Sequence, residues 1–342
     1  MSGKLIRPLA IGVVILAMAG AVALWWADRE LNRPLAIPPD GLLLAVPPGG
    51  SLRSVANDLA AQDALLSPEI ITLYGRLNGA AERIKAGEYE VPAGTSSRSL
   101  LALLESGAVK LHTITLIEGW RLADALATLR AHPAIKSTEV SVSAKAAADW
   151  LGIAGGNAEG WLFPDTYRFP RGTADVDILR TAHERMRREL DAAWQARATG
   201  LPLATPVDAL TLASIVEKET ALESERARIA GVFVRRLRMG MRLQTDPTVI
   251  YGLGNRFDGD LRRSDLQADT PYNTYTRVGL PPTPIALPGA ASLRAAVQPE
   301  ETGALFFVAS GRGDGSHVFS ATLAEHNAAV RSLIQRSRGA SP

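Results

Sequence analysis

The chain opens on an apolar stretch, LAIGVVILAMAGAVALWW (9–26), that carries no charged side chain. At about 1.5 Å rise per residue, its eighteen residues make a helix of roughly 27 Å, close to the hydrocarbon thickness of a bilayer. The run therefore predicts one transmembrane anchor over 9–26, after a tail at 1–8. ELNRPLAIPPD (30–40) has no apolar period and three prolines, which predicts a linker over 27–40. LLLAV (42–46) then reads as a strand, closed by Pro47, Pro48, Gly49 and Gly50. Ser51 is placed to N-cap a helix that turns Leu52, Val55, Ala56 and Leu59 inward. Ser67 and Pro68 start a second helix with Ile70, Ile71, Tyr74 and Leu77 inward, and GEYEV (87–91) alternates as a strand. Further on, a helix over 225–239 sets Ile229, Val232, Phe233 and Leu237 on one face.

The order strand, helix, helix, strand over 41–108 resembles, in layout, a LysM glycan-binding module. A weak repeat also runs through the chain. EYEVPAGTSSRSLLALL (88–104) aligns with TYRFPRGTADVDILRTA (166–182), and GSLRSVANDLA (50–60) echoes GWRLADALATL (119–129). Two readings follow: duplication of a small α+β unit, or recurrence of strand, Pro-x-Gly turn and helix by local physics. Short strands among Ala-rich helices predict a mixed α+β fold. The expected order is a single transmembrane helix, the LysM-like α+β module, and a larger α+β catalytic domain over 109–342 with its core at 205–335.

Charge and composition narrow the partners. Lys4 and Arg7 precede the apolar run, so the positive-inside rule puts the N-terminus in the cytoplasm, and Trp25 and Trp26 stand where an interfacial aromatic belt belongs. Ala17, Ala19, Ala21 and Ala23 would also suit a cleavable signal peptide, but the length of the run and the tryptophans favour an anchor. The remainder is then expected on the far side of the membrane. Across 342 residues, 37 basic against 35 acidic side chains leave +2, which gives no field for nucleic acid. The chain has no cysteine, so disulfides, thiolate metal sites and a cysteine nucleophile are excluded together.

Candidate chemistry lies in TLASIVEKET (211–220). At about 100° per residue, Ile215 and Val216 share the face of Leu212, and Glu219 falls within about 20° of it, while Glu217 points about 140° away, outward. A carboxyl on the inward face loses solvation, holds its proton nearer neutrality, and so suits a general acid. The bland alternative for Glu219 is an ion pair with a basic residue such as Arg226, and spacing alone does not separate the two.

ASIVEKET (213–220), RLQTDPTVIYGLG (242–254), YNTYTRVGLPPTPIALPG (272–289) and HVFSATLAEHN (317–327), in that order behind an N-terminal anchor, resemble the YceG-like family of membrane-anchored endolytic murein transglycosylases. The resemblance covers nearly the whole chain. It implies that Glu219, the second glutamate of the Glu-Lys-Glu triplet, is catalytic. It further implies cleavage of the β-1,4 bond between N-acetylmuramic acid and N-acetylglucosamine inside a peptidoglycan strand, with a 1,6-anhydro end and arrest of nascent strand elongation. The implied location is the inner membrane with the catalytic domain in the periplasm, and a murein synthase is the partner expected of the family.

Around Glu219, the candidate sugar-binding residues are Gln244, Asp246, Asn273 and Tyr275, in polar or aromatic loops. Asp246 before Pro247 also suits a helix N-cap, and Asn273 a turn. The five histidines form no HExxH pair, no G-x-S-x-G elbow occurs, and His317 reads as strand packing, so no metal or cofactor is called for. Two other functions stay open. A muramidase would need a second carboxylate, for which Asp246 is the candidate, and a noncatalytic scaffold would bind glycan without cutting it.

Overall fold

The computed structural model describes residues 3–339; residues 1 and 2 of the expected tail and 340–342 of the expected catalytic domain lie outside them. The apolar run lies in α1 (Gly3–Asn32), which continues past Trp26. Six of the residues read as linker are therefore helical. The rest of that stretch is tied down: Leu31 and Leu35 are buried, the Leu35 N–H donates to Thr95 O (2.8 Å), and the Ala36 N–H donates to Ala64 O (3.0 Å). Two leucines four residues apart supply the burial that the prolines concealed.

β1 (Leu42–Val46), α2 (Leu52–Ala61), α3 (Pro68–Leu77), β2 (Gly87–Val91) and α4 (Ser97–Ser106) follow, with β1 and β2 antiparallel and Leu44 opposite Tyr89. Ser51 caps α2 as its sequence predicts, accepting from the Ser54 N–H at 3.1 Å, and Leu52, Val55, Ala56 and Leu59 are buried. α3 turns differently from expectation. Ile71, Thr72 and Gly75 face inward while Leu77 is 79% exposed. A Cβ on Gly75 would stand 2.2 Å from Leu52 Cδ2, so the missing side chain at Gly75 sets the contact stripe by letting α2 come close.

β3 (Leu111–Thr115), α5 (Leu122–Ala131), β4 (Ile135–Lys136), α6 (Ala144–Leu151), β5 (Thr166–Pro170), β6 (Thr173–Ala174) and α7 (Asp175–Gln195) come next; β3 pairs with β5 and β4 with β6. The chain divides into two compact units, residues up to His112 with Arg168–Arg171, and Thr113–Tyr167 with the chain from Gly172 on.

The repeat seen in the sequence extends into hydrogen bonding. Tyr89 Oη donates to Lys85 O (2.7 Å) and Tyr167 Oη to Phe163 O (2.6 Å), each four residues back. Gly94 and Gly172 take φ of +81° and +84° in the following turns, and α4 and α7 come after them. The strand pairs β1–β2 and β3–β5 recur with them. Local turn chemistry does not impose matching long-range pairing, so the arrangement favours duplication.

The second unit continues through α8 (Pro206–Glu219), α9 (Glu223–Arg238), α10 (Asp246–Leu253), α11 (Arg263–Gln267), α12 (Ala290–Val297), the antiparallel pair β7 (Phe306–Ala309) and β8 (His317–Ser320), and α13 (Leu323–Gly339). Thr205 caps α8, and every residue from Ala209 to Val216 is buried, because α7, α9, α10 and α12 all pack against it. A helix apolar all round belongs in the middle of a core. α9 fits beside it through Ile229 and Phe233, with Val232 also buried and Leu237 half-buried. A Cβ on Gly231 of α9 would stand 2.0 Å from Glu300 O, a backbone atom with no side chain to swing aside. We predict that Gly231→Ala lowers stability by about 1–3 kcal/mol through this clash; a denaturation midpoint equal to that of the wild type would show that the α9–Glu300 approach is looser than described.

Candidate active site

Glu219 is the last residue of α8. Its carboxyl is enclosed, and loss of solvation is the main reason its pKa is pushed up to about 6. The Thr245 hydroxyl donates to Oε1 and opposes the shift, the charge of Asp246 adds to it, and His317 and Arg236 oppose it. Thr245 is itself held: its N–H donates to Thr274 Oγ1 (3.1 Å), its carbonyl accepts from Thr248 Oγ1 (2.8 Å), and the Thr248 and Thr274 hydroxyls meet at 2.9 Å. With Oε1 occupied by a donor, Oε2 is the oxygen free to carry the acid proton.

Glu217 does not point into solvent. Its side chain is 4% exposed, Oε1 accepts from Arg226 Nη2 at 3.0 Å, and Oε2 accepts from the Gly289 N–H at 2.9 Å. The ion pair considered for Glu219 thus belongs to its neighbour two residues back. The helical-face argument turned Glu219 inward but missed the fate of Glu217, because Arg226 and the Gly289 N–H cover that side of α8 and leave Lys218 as the exposed position between the two glutamates.

The four sugar-binding candidates separate. Gln244 is exposed in the left-handed region (φ +52°), its N–H bonded to Thr274 O at 3.1 Å. Such strain in a side-chain-bearing residue, two positions from Asp246, marks a segment held in place by its surroundings. Asp246 is exposed and accepts from Tyr275 Oη at 2.6 Å. It is the first residue of α10 and not its N-cap; Thr245 holds that position and turns its hydroxyl to Glu219. Tyr275, half-buried, brings its ring to the same place. Asn273 does not join them. It is 1% exposed; Nδ2 donates to Asp265, Leu266 and Ala268 carbonyls, and Oδ1 accepts from the Tyr275 N–H, so the whole amide is spent on the turn that presents Tyr275.

Sequence reasoning missed Thr245, Arg236 and the bonding of His317. Arg236, on α9, is buried and donates to Leu305 O (2.7 Å) and Leu243 O (2.6 Å), which joins α9 to the segments leading into β7 and into Gln244. His317 opens β8 as expected, yet its ring nitrogen Nδ1 and its backbone N–H both bind Glu225. None of these contacts has a periodic or motif signal, since each pairs residues 7 to 92 positions apart.

The raised pKa has a sign. A carboxyl held protonated in the folded state contributes stability that is present below its unfolded pKa of 4.5 and lost as pH rises through about 6. Relative to the wild type, Glu219→Gln is expected to gain roughly 2 kcal/mol of unfolding free energy between pH 4 and pH 7. Glu217→Gln, which takes from buried Arg226 the nearer of its two carboxylate partners, is expected to lose about 1–3 kcal/mol. Denaturant titrations at the two pH values test both, and a pH-independent gap for Glu219→Gln would contradict the burial account.

Residues 44–332 match the model of the YceG-like family. An endolytic murein transglycosylase of Bacillus subtilis is 31% identical over 306 residues, 84% of each chain. One of Streptococcus pneumoniae is 27% identical over 300 residues, 78% of this chain and 54% of that longer protein. The crystal structure of a yceG-like protein of Listeria monocytogenes, 27% identical, superposes with a TM-score of 0.51 over 85% of this chain and 99% of that one. With its family match running from β1 into α13 and taking in the glutamate helix, the chain belongs to the YceG-like family.

Proposed function

We propose that this protein is an endolytic peptidoglycan lytic transglycosylase that cleaves the β-1,4 bond between N-acetylmuramic acid and N-acetylglucosamine and leaves a 1,6-anhydro end. The single observation that carries this reading is the Glu219 carboxyl, enclosed, with a pKa near 6 and one oxygen engaged by Thr245. The names of the relatives from Bacillus subtilis and Streptococcus pneumoniae support the same reaction class.

In this mechanism Glu219 donates the proton on Oε2 to the glycosidic oxygen. The C1–O4 bond breaks with its electron pair on O4, and positive charge develops at C1 and the ring oxygen. The muramic C6 hydroxyl then attacks C1 while the Glu219 carboxylate takes its proton, so the acid is regenerated and no water is consumed. One carboxyl thus serves as acid and then as base. Gln244, Asp246 and Tyr275 would bind the sugars around it. The muramidase alternative asks for a second carboxylate at roughly 5–5.5 Å or 6.5–9.5 Å from the acid. Asp246 is the candidate, but its Oδ1 is occupied by the Tyr275 hydroxyl, which favours a binding role.

The anchor belongs to the same reading. α1 contains a stretch, Ile11–Asn32, long and apolar enough to cross a membrane. With Lys4 and Arg7 ahead of it, the N-terminus would lie in the cytoplasm and the chain beyond the anchor in the periplasm, where the strand-helix-helix-strand segment 41–108 would serve as a LysM-like glycan contact and the enzyme would end elongation of nascent strands beside a murein synthase.

Two measurements test this. Mass spectrometry of digested murein should find 1,6-anhydro ends with the wild type and a loss of at least 10²–10⁴-fold with Glu219→Gln; reducing ends would select the muramidase, and unchanged chain length the scaffold. Protease added to spheroplasts should remove everything beyond α1, whereas a protected C-terminal unit would reverse the topology.

A further inference from the structure

Glu225, in the first turn of α9, is buried and spends its whole carboxylate on one histidine. Oε1 accepts the His317 backbone N–H at 3.0 Å and Oε2 contacts the ring Nδ1 at 2.7 Å. A carboxylate can only accept, so Nδ1 carries a hydrogen, and in the neutral form of the ring the lone pair stands on Nε2. Phe307 and Phe319 flank the imidazole, with centroids at 5.5 Å and 6.4 Å, and hold its plane. Nε2 makes no hydrogen bond among the described residues, and the side chain keeps 14% of its exposure. The same Phe307 and Phe319 pack against the core formed by α8, the helix that ends in Glu219, and His317 stands within electrostatic reach of that carboxyl. A histidine that only packs needs no carboxylate on both of its N–H groups. Here the clamp determines which nitrogen is presented and leaves that nitrogen open.

We propose that His317 is a further catalytic residue of the glycan cleft, with Nε2 accepting a hydrogen bond from an O–H or N–H donor on the N-acetylated sugar that Glu219 acts on, and that Glu225 is its positioning residue. This rests on the reading of Glu219 as the acid. The two residues have distinct replacements. His317→Asn keeps an amide donor near Glu225 but offers nothing at the Nε2 position. Glu225→Gln gives the backbone N–H its acceptor and presents an amide N–H to Nδ1, which moves the ring hydrogen to Nε2 and turns the presented acceptor into a donor.

Both variants of the full-length protein should lose about 10- to 100-fold in kcat/KM on murein strands, the usual effect of leaving one substrate donor unpaired. ¹⁵N spectra of the side-chain imidazoles should report the hydrogen on Nδ1 in the wild type and on Nε2 in Glu225→Gln. In Glu219→Gln, which is expected to bind without cutting, glycan fragments prepared from murein should shift the His317 Nε2 resonance. The proposal falls if folded His317→Asn turns over at the wild-type rate, if the wild-type hydrogen resides on Nε2, or if bound fragments leave the Nε2 resonance unmoved. The spectra need no variant at His317, so they decide the matter even where His317→Asn fails to fold. A Glu219→Gln variant that still cleaves murein would instead overturn the acid assignment.

Discussion

The enclosure of one carboxyl at the end of α8 is the constraint on which the catalytic unit depends. Desolvation alone would leave Glu219 both costly and mobile. The Thr245 hydroxyl removes the mobility, and the interlocked Thr248 and Thr274 hydroxyls orient Thr245 in turn. The enclosure requires α8 to be surrounded, which is why α7, α9, α10 and α12 converge on it and why α9 carries a glycine where it meets Glu300.

Two glutamates separated by a single lysine meet opposite fates for reasons of partnership. Glu217 has a guanidinium and a backbone N–H, one donor for each of its oxygens. Among the described residues Glu219 has only a hydroxyl within bonding distance, which costs less to release and leaves proton affinity near neutrality. Arg226 serves Glu118 as well, at 3.7 Å. Burial and the charge of Glu217 push the Glu118 carboxyl up in pKa, and that cation partly offsets them.

The first half of the chain shows how a simple unit is reused. The tyrosine-to-carbonyl bond, the left-handed glycine and the strand pairing recur together, and the second copy is interrupted between its strands by β4 and α6. The first copy keeps a core of its own, to which Leu35, just past the end of α1, contributes.

The sequence by itself determined what local physics controls: the apolar run of α1, the capped start and buried stripe of α2, the strands β1 and β2, the α+β class, and the inward turn of Glu219 at the end of its helix. Each depends on residues within a few turns of one another, where period and capping are decisive. Tertiary structure alone decided the burial of Glu217, the withdrawal of Asn273 into a turn, the left-handed Gln244, and the contacts of Thr245, Arg236 and His317. These are pairings across 5 to 92 residues between groups whose intrinsic preferences are permissive. A threonine or histidine carries no periodic mark of the partner it will meet; only the packing of α8 among its neighbours brings the hydroxyl to the carboxyl and fixes which oxygen keeps the proton.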